Sequence, residues 1–121
     1  MRTLALSLML ALTAPLAWSC GVCAEDKMAA TYDHAVVQRA NAKGHLIVFC
    51  ELGGAVDAKR IAAAAARQRS VDRASIRVSR DPPALSFALD AKQQSAQSAA
   101  AAIQKAAPRG TQVSILRVTS R

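Results

Sequence analysis

The sequence predicts an α+β domain in which strands and helices follow one another as βαββαβ, with one extra helix in front. Three observations predict it. Residues 74–79 and 85–89 alternate apolar and polar side chains with period two, and Arg80-Asp81-Pro82-Pro83 between them supplies turn chemistry. Two alanine-rich stretches with helical spacing, at 57–69 and 95–106, stand on either side of that pair. Short runs rich in branched and aromatic residues, His45 to Cys50 and Thr111 to Val118, lie outside the two stretches and read as strands.

In chain order, Ala24-Glu25-Asp26-Lys27 opens a helix, because acids in the first turn face its positive end. Met28, Tyr32, Ala35, Val36 and Ala40 recur on one face to about Asn41, and Lys43-Gly44 stops it. The run from His45 to Cys50 is a buried strand, which Gly53-Gly54 is expected to break. Asp57 caps a helix anchored by Ile61, with Lys59, Arg60, Arg67 and Arg69 on its wet side. The alanine blocks are structural, since alanine is the best helix former and brings a helix close to a sheet. Pro108-Arg109-Gly110 ends the second alanine-rich helix before the last strand.

Each internal helix thus connects strands able to lie parallel in one sheet, which is the ferredoxin-like split βαβ arrangement. Both helices are expected on one face of a four-stranded antiparallel sheet, with Ile76 and Phe87 inward and Arg77 on the opposite face. The sequence leaves the place of the N-terminal helix open.

Met1-Arg2, an uncharged apolar run from Leu4 to Leu12, and small residues from Thr13 to Ser19 succeed one another as in a secretory signal. The run is about half of the roughly 20 residues that cross a bilayer. Cleavage after Ser19 and cleavage after Ala24 compete. Pro15, which would end the signal's helix about five residues upstream, favours Ser19. The expected parts are then a signal at 1–19, a cysteine segment with the N-terminal helix at 20–44, and the βαββαβ domain at 45–121. Acylation of Cys20 is a lesser alternative, because Ala17-Trp18-Ser19 lacks the usual Leu and carries a bulky Trp.

Sixteen basic against eight acidic residues give a formal charge of +8, a balance that in the cytoplasm suggests nucleic acid. Export to the periplasm or the outside removes that partner, and aromatic side chains for base stacking are few. What remains is a solvated basic surface, or peripheral contact with an anionic membrane or an acidic protein. No serine, histidine and acid grouping, phosphate loop or carboxylate pair suggests an enzyme.

Cys20-Gly21-Val22-Cys23 is the sequence's one Cys-x-x-Cys. Two thiols at this spacing chelate a soft ion or close a disulfide, and the helix N-terminus that follows favours thiolate. Outside the cytoplasm a disulfide is the competing state, and a pair this close to a cleavage site is also open to removal or lipidation. No strand precedes the pair, which argues against a thioredoxin-like oxidoreductase. Cys50, at the end of the first strand, is a buried apolar thiol, a third metal ligand or redox thiol, or one half of a bridge to another cysteine. His34 stands eleven residues past Cys23, about 16 Å along a continuous helix, too far to share an ion with it unless the helix bends. His45 at a strand start is an ordinary surface residue.

From His45 to Val118 the pattern resembles the heavy-metal-associated domain of copper chaperones, metal-transporting ATPases and mercury-binding proteins. The likeness rests on strand 46–50, a glycine-containing loop, helix 57–69, Ser70-Val71, strand 75–79, its partner 85–90 and the helix at 99–106. It implies a soft ion such as Cu(I), and a metal donor or acceptor protein as partner. That family binds its ion on a loop Cys-x-x-Cys, whose positions fall here on Gly54 and Asp57, so the loop site does not carry over. The metal set expected in its place is Cys20 and Cys23, with Cys50. The alternatives are an interaction module of the same fold without metal, and then a thiol redox protein.

Overall fold

The computed structural model describes residues 23–119. The signal expected at 1–19 and Cys20 lie outside the described residues.

The sheet is built from β1 (Leu46–Gly54), β2 (Arg77–Arg80), β3 (Pro83–Leu89) and β4 (Thr111–Thr119). Its order is β2-β3-β1-β4, and all three pairings are antiparallel. Helix α3 (Ala58–Ala66) joins β1 to β2 across the intervening β3. Helix α4 (Ala96–Ala106) joins β3 to β4 across β1. This is the ferredoxin-like α+β arrangement read from the sequence. Ahead of it, α1 (Ala24–Thr31) and α2 (His34–Lys43) replace the one continuous helix expected.

The break has a local cause. Asp33 leaves helical geometry with φ −137° and ψ 114°, and its carboxylate accepts hydrogen bonds from the backbone N–H of Ala35 at 2.9 Å and of Val36 at 3.3 Å. It is an N-cap, and a cap in the middle of an apolar stripe starts a new helix in a new direction. Gly44, with φ 70°, ends that helix in the left-handed conformation, which costs glycine little.

The two faces of the sheet carry separate cores. Val48, Cys50, Leu52, Leu85, Phe87 and Leu89 point toward α3 and α4, where they meet Ile61, Ala64, Ala65, Ala99 and Ile103. Fully buried side chains of this size contribute roughly 1.5–3 kcal/mol each. The intervening residues Ile47, Phe49 and Ala88 face the other way and pack against Val36 and Ala40 of α2, with Met28 of α1 beside them. The N-terminal helices therefore cover the face opposite α3 and α4, the one on which Arg77 was expected. Phe87 is fully buried as anticipated, and Ile76 is half-buried against the same core.

Other departures from the sequence reading are local. Gly53 and Gly54 do not break β1, because they pair with Gln112 and Thr111 of β4. Helix α3 stops at Ala66, short of Arg69. The stretch expected as one strand from Ala74 opens as a 3-10 turn, Arg73–Ser75, because the Asp72 carboxylate accepts from the Ala74 N–H at 3.1 Å.

Candidate functional site

Cys23 is the residue before α1, exposed, and it occupies the N-cap position with extended backbone. Its thiol donates to Oδ2 of Asp26 at 3.3 Å. Because Cys20 lies outside the described residues, the pair is seen from one side only.

What the sequence did not foretell is how firmly this corner is tied to the sheet. Lys27, one turn into α1, donates to Glu51 of β1 at 2.7 Å, with the lysine side chain 21% exposed. At the other end of the helix the Ser86 hydroxyl of β3 donates to the Thr31 carbonyl at 3.2 Å. Arg77 of β2 then holds Asp33 through Nε at 3.2 Å and Nη2 at 2.9 Å. That guanidinium, followed by the N–H groups capped by Asp33, lowers the carboxyl below its ordinary value of 3.8. Lys43 at the end of α2 reaches Asp72 at 3.5 Å. Each of these three ion pairs joins the N-terminal helices to the ferredoxin-like body.

Cys50 lies apart from Cys23. It sits in the core between the sheet and the α3/α4 layer, 1% exposed, while α1 packs on the opposite face. Burial pushes its thiol up to about 12, so at neutral pH it is a small apolar core residue. The two loop positions are also accounted for. The Asp57 carboxylate caps α3 by accepting from the Arg60 N–H at 3.2 Å. Gly54 has φ +71°, and a Cβ there would collide with the Gly110 carbonyl oxygen. No cysteine fits at Gly54 with this backbone, so the heavy-metal-associated loop site does not fit this chain.

The histidines do not converge. His34 begins α2, with its Nδ1 3.4 Å from the Tyr32 hydroxyl, whereas His45 follows the far end of that helix. Ten helical residues put them roughly 15 Å apart. Among the described residues no three His, Cys, Asp or Glu side chains gather as an ion site.

A cleft of about 360 Å³ opens between the N-terminal helices and the β4 edge. Met28 of α1 and Tyr32 just after it form one wall, Val37 and Asn41 of α2 another, and Phe49 the floor, while Arg117 and Thr119 stand on the β4 side. The sequence placed Met28 and Tyr32 on an apolar helix face and Phe49 in a buried strand, but gave none of the lining residues a role at a site. Their signal was present in the four-residue spacings 28/32 and 37/41 and in the alternation 117/119, but nothing in the sequence placed those stripes opposite one another. Comparison with protein-family models, with curated proteins and with solved structures gave no match.

Proposed function

We propose that this chain is an exported, non-enzymatic module that takes one soft ion, Cu(I) first among them, on Cys20 and Cys23, and exchanges it with a donor or acceptor protein. The observation that carries the reading is the position of Cys23. It is exposed at the head of a helix that Lys27, through Glu51, fastens to the sheet. A thiol pair set there is presented from a fixed point of the domain, open to a partner that brings or removes an ion. Two thiolates suffice for Cu(I), and nitrogen or oxygen ligands compete poorly for it.

Helix α1 starting directly after Cys23 also bears on cleavage. A cut after Ala24 would remove its N-cap residue, whereas a cut after Ser19 leaves both thiols and the complete helix. Cys50 is left out of the donor set because it is enclosed on the other face.

The experiment is a Cu(I) titration of the reduced mature chain in competition with a chromophoric chelator. One ion per chain is expected, and none when Cys20→Ser and Cys23→Ser are combined. Absence of Cu(I) uptake by the unmodified chain would reject the reading. The interaction module would then be the better description, since Gly54 and Asp57 already serve the backbone where the family's loop thiols would stand.

A further inference from the structure

From the cleft between the N-terminal helices and β4 we infer a second site, for a small amphipathic monoanion: a carboxylate on a compact aliphatic or aromatic body. Its interior is apolar. Met28, Val37 and Phe49 line it, and Phe49 is buried by both the sheet and the helices. At about 360 Å³ the space lies within the range of small-molecule sites and takes a body of roughly ten heavy atoms.

The rim gives the charge. Arg117 pairs across the strands with Phe49, which puts both on the same face of the sheet, and it lines the cleft from the β4 side. Among the described residues it has no carboxylate within ion-pairing distance, while Lys27, Lys43 and Arg77 on the same face each have one. Asn41 and Thr119 complete the rim, and their side chains likewise make no hydrogen bond among the described residues. A planar guanidinium with an amide and a hydroxyl nearby matches a carboxylate head, and Arg favours such a partner over a neutral one. The apolar walls select against a small inorganic ion, which gains nothing from them. An amine would meet like charge from Arg117 and from a chain of net charge +8.

This site is separate from the thiol pair and stands or falls without it. The test uses the reduced mature chain, with amide chemical shifts followed during titration by octanoate, octanol and octylammonium. Saturable shifts around Val37, Asn41, Phe49 and Arg117 are expected with octanoate, weaker binding with octanol, and none with octylammonium. Arg117→Gln should weaken octanoate about fivefold, the size of an exposed charge pair, and leave octanol unchanged. Asn41→Trp, at an exposed helix position, should close the mouth and remove binding of both while the fold persists. Equal affinity for octanoate and octanol, an unaltered Arg117→Gln variant, or shifts scattered away from the cleft would overturn the inference.

Discussion

Arg77 on β2 and Asp33 between α1 and α2 are 44 residues apart in sequence and meet through two nitrogens, the closer at 2.9 Å. Asp33 thereby serves two purposes, since the same carboxylate caps α2. One residue starts the second helix and pins the junction to the sheet.

Asp33→Ala removes cap and ion pair together, whereas Asp33→Asn keeps a capping oxygen and loses the charge. The expected order of stability is wild type, then Asn, then Ala, read from urea midpoints. Because the folded carboxyl is held below 3.8, its contribution is present above that value and is lost as the pH falls through the folded one. Wild type and Asp33→Asn should therefore converge in acid and separate toward neutral pH. A gap that did not narrow in acid would contradict the pairing.

Added salt should act unevenly. Three partly exposed ion pairs tether α1 and α2, while α3 and α4 are held by the apolar core. At about 1 M salt the screening length falls to roughly 3 Å. Amide hydrogen exchange in α1 and α2 should then quicken relative to α4. Uniform behaviour of all the helices would mean that the ion pairs contribute nothing to docking.

The two cores should respond differently to truncation. Phe87→Ala, in the fully buried cluster, is expected to cost about 3–5 kcal/mol and to lower the midpoint of the whole domain. Phe49→Ala, under the N-terminal helices, should loosen α1 and α2 first, seen as early exchange of their amides. Phe87→Asp should unfold the domain outright, since it buries an unpaired charge.

These differences mark what the sequence made legible. The period-two run from Leu85 to Leu89, the Asp57 cap and the helical spacing of Ile61 and Ile103 are local signals, and each element formed near its predicted place. The uninterrupted apolar run Leu46 to Cys50 read as a buried strand, but that the N-terminal helices cover its second face was not legible. Asp33 was legible as a capping residue, yet the apolar stripe through Tyr32 masked it, and Tyr32 is 55% exposed. Gly53 and Gly54 read as a strand stop because glycine weakens strands, and only their register with Thr111 and Gln112 keeps them in β1. For the site, Cys23 and the vacated loop positions were readable from the sequence. The direction of Cys50 was not, because a shift of one residue turns it to the other face.

Cys50, with its thiol pushed up to about 12, should resist iodoacetamide in the folded protein while Cys23 reacts quickly. Intact mass after a short pulse reads this directly, and unfolding in urea should release the slow thiol. Cys50→Ser places a hydroxyl in the core at a cost of about 1–3 kcal/mol, whereas Cys50→Ala leaves only a small cavity.

Copper K-edge absorption on the Cu(I)-loaded, reduced mature chain tests the account most directly, because it counts the sulfur neighbours of the ion. Two sulfur scatterers are predicted, unchanged in Cys50→Ala and lost in Cys23→Ser. A third sulfur that disappears in Cys50→Ala, or a first shell made of nitrogen and oxygen alone, would contradict it.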